Sequence, residues 1–224
     1  MSSDILVAIL AYNEEKNIAN VLKSLSKNFY NILVVDNNSE DRTVKKIKNF
    51  QVKLIKHKYN LGKSESMKTA LEFAKIKKFK YIAFMDADGQ HKAKDLINLC
   101  NKIFKSNSEL VIGYRKNLDR LNLKKRIGTK ILQKLFYLLY KKKIFDIQSG
   151  LRVFKLSVSK KIYWNSTGLA HYFADAEITC NAIKNHCKVE QVPITTLPSE
   201  NYKGMNLIQG LYLILMILYW RIIK

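Results

Sequence analysis

The first 115 residues alternate between two hydrophobic periods, and few folds accommodate that alternation. Ile5 to Ala11 is an unbroken apolar run, short enough for a strand buried on both faces. Apolar residues then recur at helical spacing at Ile18, Val21, Leu22 and Leu25. A second run, Ile32 to Val35, stops at Asp36-Asn37-Asn38-Ser39, whose side chains favour turns. Val52 to Ile55 reads as a third strand, and Met67, Ala70, Leu71 and Ala74 as the next helix. Tyr81 to Met85 is apolar and ends abruptly at Asp86. Leu96, Leu99, Cys100 and Ile103 mark another helix, and Leu110 to Ile112 another short strand. Strands alternating with helices predict βαβ units and a mostly parallel sheet flanked by helices. Such sheets hold ligands outside the carboxyl ends of their strands. Three polar clusters fall there: Tyr12-Asn13-Glu14, Asp36 to Ser39, and Asp86 to His91.

The second half has a different texture. From Ile127 to Tyr140, Ile127, Ile131, Leu132, Leu135, Phe136, Leu138 and Leu139 form an apolar side. Lys130, Gln133, Lys134 and Tyr137 occupy the other. This is an amphipathic helix with a basic face, suited either to the core or to a membrane surface. Gly210 to Trp220 is uncharged and apolar but well short of the roughly 20 residues a span requires. Tyr212, Tyr219 and Trp220, flanked by Lys203 and Arg221, fit a helix lying on a membrane. The start of the chain lacks a basic segment and reaches Asp4 quickly, so no signal peptide is expected.

Lysine and arginine number 40 against 18 acidic residues, for a net charge of +22. Nucleic acid, an anionic membrane and phosphorylated substrates would all be attracted, and biased codon usage would give the same excess. Cys100, Cys180 and Cys187 show no CxxC spacing, which points to reduced thiols rather than a zinc site.

The most specific chemistry is at Asp86 and Asp88. In extended chain, residues two apart point to one side, so both carboxylates can face one ligand. With the amide oxygen of Gln90 nearby, the set suits a hard cation such as Mg2+ or Mn2+, which keeps waters and bridges substrate phosphates.

Six segments in order carry a resemblance: Ala11-Tyr12-Asn13-Glu14-Glu15, Val34 to Ser39, Asn60-Leu61-Gly62-Lys63, Asp86 to His91, Gly113-Tyr114-Arg115, and Gln148-Ser149-Gly150-Leu151-Arg152. Together they resemble inverting GT-A glycosyltransferases of the dolichol-phosphate mannose synthase and polyprenyl-phosphate glycosyltransferase type, from about Ile5 to Gly204. The resemblance implies a GT-A-like, Rossmann-like sheet, with amphipathic helices in the C-terminal half. Residues 1–204 would form the catalytic domain, 1–115 binding the nucleotide-sugar and 116–204 the acceptor. Residues 205–224 would form an interfacial helix.

The resemblance further implies that Leu10, Tyr12, Glu14, Val35 and Asn37 surround the base and ribose. Asp86, Ala87 and Asp88 would meet the diphosphate, and Asp86, Asp88 and Gln90 the metal. Arg115, Arg126 and Lys203 would face the acceptor phosphate, with Asp88, Arg115 and Arg126 as the catalytic set. Leu10 stands where the family usually has proline, Asn37 where a second aspartate often contacts the base, Ser64 for a glycine and Leu151 for an aromatic.

The implied activity is hexose transfer, with inversion, from a nucleotide-sugar (GDP-mannose first) to a polyprenyl phosphate at the cytoplasmic face of a membrane, without nucleic acid as partner. A hydroxyl acceptor would instead need a carboxylate base, which Asp175 or Glu177 could supply. A basic nucleic-acid-binding module would explain the charge but leave the strand-end clusters idle. A sugar-nucleotide pyrophosphorylase would carry a glycine-rich loop, and residues 10–20 contain no glycine.

Overall fold

The computed structural model describes residues 3–116, 123–162, 173–196 and 206–222. The elements are β1 (Ile5–Ala11), α1 (Ile18–Leu25), β2 (Ile32–Asp36), α2 (Thr43–Ile47), β3 (Lys53–Lys56), α3 (Gly62–Ile76), β4 (Tyr81–Asp86), α4 (Ala93–Lys105), β5 (Leu110–Arg115), α5 (Leu123–Tyr140), β6 (Arg152–Lys155), α6 (Ala174–Lys184), β7 (Val189–Ile194) and α7 (Leu207–Ile222).

The seven strands form one sheet in the order β3-β2-β1-β4-β6-β5-β7. β1 pairs in parallel with β2 and β4, so Leu10 lies opposite both Val35 and Asp86. β6 is antiparallel to β4 and β5, while β5 and β7 are parallel. This mixed, mostly parallel sheet with flanking helices is the GT-A arrangement the resemblance implied.

β1, β2 and β4 are apolar on both sides along most of their length because both sides are covered. Ile5, Val7 and Ile9 pack with α1 and α4 in one layer. Leu6, Ala8 and Leu10 point the opposite way and share a core with α3, α5, α6 and α7. Period-two alternation along β1 therefore assigns each residue to one of two cores.

The structure refines three of these readings. The expected strand at Val52 begins one residue later, at Lys53. The apolar side of α5 is divided: Leu132 and Phe136 are buried, whereas Ile127, Ile131 and Leu138 are about half exposed. A helix meets the core along a narrower stripe than its full apolar set. One side of α7 is built into the fold, with Leu213, Ile217 and Trp220 buried in the core shared with α5 and α6. Among the described residues no helix is long and apolar enough to cross a membrane.

Candidate active site

The loops after β1 and β2 are laced together before any ligand arrives. Asn13 and Asn38 adopt left-handed backbone angles (φ 54° and 66°), which asparagine tolerates better than most residues. The Asn13 amide donates to Ser39 Oγ at 2.9 Å, and Ser39 Oγ donates in turn to buried Asp36 at 2.5 Å. The Glu14 amide donates to Thr43 Oγ1 (2.8 Å), and the Glu40 amide to Asn13 Oδ1 (2.9 Å). Hydrogen bonds between the two loops fix this end.

A cleft of about 290 Å³ opens between these loops and the end of β4. It is lined by Leu10, Ala11, Tyr12, Glu14, Asn37, Asn60, Gly62, Lys63, Ser66, Asp86, Ala87 and Asp88. Eight positions implied by the resemblance thus include seven that meet at one cleft. The exception is Val35, which is fully buried in the core beneath it and cannot touch a base. Tyr12 is 43% exposed on the rim, a ring available for stacking. Asn37 is committed elsewhere: its Nδ2 donates to Asn60 Oδ1 (2.7 Å), and its Oδ1 accepts from the Leu61 amide (2.9 Å). Where the family often presents a carboxylate, this chain has an internally satisfied amide.

Lys63, in the first turn of α3, is the centre of the site's charge. Its Nζ lies 2.9 Å from Asp86 Oδ1 and 2.7 Å from Asp175 Oδ2. Burial opposes its charge, but Asp175 and Asp86 outweigh burial and hold it protonated above the ordinary lysine range. Burial likewise opposes ionisation of Asp86, and Lys63 overcomes it, holding that carboxyl below its usual value.

Asp175 is engaged on its other side by Arg152, fully buried on the central strand β6, at 3.1 Å. Arg152 also donates to the carbonyls of Ser149 (2.5 Å) and Asp175 (2.8 Å). Gly150 fits between these groups because it lacks a side chain. A Cβ there would collide with the Asp86 carboxylate and come within 3.1 Å of Lys63 Nζ.

Among the described residues Asp88 forms no ion pair that would neutralise it. Burial, reinforced by the charge of Asp86, pushes its carboxyl up to about 6. Its Oδ1 accepts the Gln90 amide at 2.9 Å, with Gly89 supplying the left-handed turn (φ 75°). Gln90 is buried rather than lining the cleft. Among the described residues no three His, Cys, Asp or Glu side chains converge as a metal cage. A site for Mg2+ or Mn2+ does not need one, since these ions are held by one or two carboxylates plus substrate phosphates. A desolvated carboxylate raised by a like-charged neighbour is a donor that a cation would relieve, and Asp88 fits that description.

Arg115, at the end of β5, forms a bidentate pair with buried Asp146 (2.6 and 3.1 Å), which fixes the plane of its guanidinium. Arg126 falls in the first turn of α5. Lys203 lies outside the described residues. Asp175 and Glu177, the candidate bases, are both only 4% exposed at the start of α6.

Sequence reasoning quoted Lys63 and Arg152 within motifs but gave neither a role. Lys63 follows a glycine at a helix start beside a strand-end acid, a signal that could have singled it out. Nothing local to Arg152 announces that it is buried.

The family model for Glycosyl transferase family 2 matches residues 6–163. An uncharacterized protein of Methanocaldococcus jannaschii is 36% identical, over 92% of this chain and 88% of that protein. A UDP-N-acetylglucosamine–dolichyl-phosphate N-acetylglucosaminyltransferase of Methanococcus voltae is 31% identical, over 92% of this chain and 91% of its own length. The fold resembles glucosyl-3-phosphoglycerate synthase from Mycobacterium tuberculosis, solved with Mn2+, UDP-glucose and phosphoglyceric acid. That match has a TM-score of 0.77 and 16% identity, and covers 98% of this chain and 80% of that one.

Proposed function

Since the chain belongs to glycosyl transferase family 2, we propose that it transfers a sugar from a UDP-sugar to a polyprenyl phosphate, with inversion, at a membrane surface. The observation that carries the acceptor is the state of Asp175. A hydroxyl acceptor needs a carboxylate free to take its proton. Asp175 is instead held between Lys63 at 2.7 Å and Arg152 at 3.1 Å, so both of its oxygens are turned to cations rather than to a substrate hydroxyl. A phosphate acceptor brings its own oxyanion, and its attack requires no base.

The first guess of GDP-mannose gives way to a UDP-sugar on the strength of the Methanococcus voltae relative, whose name carries both UDP-N-acetylglucosamine and dolichyl phosphate. In this reading Tyr12 stacks on the base, and Asp88, with Gln90 behind it, holds Mg2+ or Mn2+. The ion would supply positive charge to the departing nucleoside diphosphate. Lys63 keeps Asp86 ionised and fixes it relative to Asp175, so the donor loops and α6 share one geometry. Arg115, its plane set by Asp146, presents a guanidinium to the phosphates, and Arg126 and Lys203 are the further cations that the resemblance assigns to the acceptor phosphate. Cationic side chains are required because donor and acceptor are both anionic and repel each other.

The test is a donor screen of UDP-N-acetylglucosamine, UDP-glucose and GDP-mannose against a polyprenyl phosphate in detergent, with Mn2+ or with excess chelator. Manganese-dependent transfer from a UDP-sugar to the phosphate is expected. Transfer only to saccharide hydroxyls, or full turnover in chelator, overturns the reading.

A further inference from the structure

α5, α6 and α7 end together, on the opposite side of the molecule from the cleft. The Tyr140 hydroxyl donates to the Ile217 carbonyl (3.2 Å), Arg221 Nε to that of Leu139 (3.0 Å), and Lys184 Nζ to that of Trp220 (3.0 Å). α6 begins at the active site with Asp175 and is buried along most of its length, with α5 and α7 packed outside it. Where the three helices end, a cavity of about 480 Å³ opens. Lys141, Lys142, Lys184, His186 and Arg221 line it, together with four uncharged residues and no acidic one.

Cations at helix C-termini have an ordinary explanation, since exposed carbonyls there carry partial negative charge. That accounts for Arg221 and Lys184, which donate to such carbonyls. It leaves Lys141, Lys142 and His186, whose side chains have no acidic or carbonyl partner among the described residues. The cavity is therefore cationic beyond the needs of the helix ends.

It also adjoins an exposed apolar face. Leu211, Leu215 and Tyr219 of α7 are 54–61% exposed at spacings of four residues, and Ile127, Ile131 and Leu138 of α5 are 49–54% exposed. Large apolar side chains aligned along two neighbouring helices, with a basic cavity at one end, match the chemistry of an interfacial surface.

We propose that this cavity is a headgroup-phosphate site for an anionic phospholipid, and that with the α5–α7 face it docks the chain flat on an anionic bilayer. The inference rests on the membrane reading above and deepens it. α7, with 16 residues, is about 24 Å long. Headgroup contact at its far end would hold the helix pair parallel to the membrane and keep the opposite end, with the cleft, at the depth of an acceptor phosphate.

The test is co-sedimentation of the full chain with vesicles of phosphatidylcholine alone and of phosphatidylcholine mixed with phosphatidylglycerol. Each lysine near an anionic surface contributes about 1 kcal/mol, so Lys141→Gln with Lys142→Gln should weaken binding to the mixed vesicles about thirty-fold. Binding to neutral vesicles should be unchanged. Lys23→Gln with Lys27→Gln, in the helical layer across the sheet, serves as the charge-matched control and should change binding less than about threefold. Leu211→Ser with Leu215→Ser should weaken binding to both vesicle types. Transfer in detergent should be equal in all these variants, which verifies their folding.

Equal effects of the two lysine pairs would overturn the cavity's role, as would equal wild-type binding to neutral and mixed vesicles. Displacement by soluble glycerol phosphate would overturn it too, since the cavity would then serve a free anion. If wild type shows no transfer in detergent, the catalytic reading falls while the vesicle result stands by itself.

Discussion

The two ends of the cleft are built by different means. At one end, hydrogen bonds between the loops after β1 and β2 do the work: the Asn13 and Glu14 amides donate to Ser39 and Thr43, and Ser39 donates to Asp36. At the other end, Lys63, Asp86, Arg152 and Asp175 come from four separate elements and are joined by ion pairs. The first arrangement places a ligand on pre-formed loops. The second stores its precision in charge balance, so removing one member strands the others. A buried pair broken on one side is more costly than a lost surface contact.

Asp88→Asn should show the largest effect and the clearest division between function and stability. Loss of the carboxylate should lower turnover by about 10²–10³-fold. Stability of the metal-free protein should rise, because the carboxyl is raised to about 6 from its ordinary value of 3.8 and its charged form is disfavoured in the fold. The native state binds more protons than the unfolded chain between those values, so wild-type stability falls as pH rises through that window. The gain from Asn should be about 1–2 kcal/mol at pH 7 and vanish below about pH 4. Thermal melts in chelator across that pH range measure it, and a melting temperature that drops at pH 7 would contradict this account.

Gly150→Ala comes next, with a loss of turnover of about a hundredfold from displacing Asp86. Single-turnover rates with bound donor would detect it. An activity close to wild type would mean that Asp86 is free to move.

Lys63→Met probes the ion-paired end by leaving Asp86 and Asp175 close together without their shared cation. We expect a loss of about 2 kcal/mol in unfolding free energy, below the value for a fully buried pair because Lys63 retains some solvent contact. Lys63→Arg should recover stability more than activity. Asp175→Asn should reduce turnover less than about tenfold without shifting the pH profile of the rate, and abolition of turnover would instead identify it as the base.

Ser39→Ala should have the smallest effect, a rise of about fivefold in the Michaelis constant for the nucleotide-sugar. The constant for the acceptor should stay the same. A loss at Ser39 as large as that at Lys63 would erase the distinction between the two ends.

What the sequence determined by itself follows from local rules. Strand and helix periods identified β1 to β5, and turn residues marked where strands stop, which located Tyr12, Glu14, Asn37, Asp86 and Asp88. In a parallel sheet, strand ends are where ligands bind, so local punctuation translates directly into a site. Only tertiary structure decided the rest. β6 is too short to show a period, and its Arg152 reads as a surface residue until Asp175, 23 residues on, arrives to pair with it. Val35 and Leu10 are both apolar ends of strands, yet only Leu10 reaches the cleft. Which half of α5's apolar side meets the core depends on where α6 and α7 pack. Long-range charge pairing and burial are properties of the assembled chain, and no window of sequence contains them.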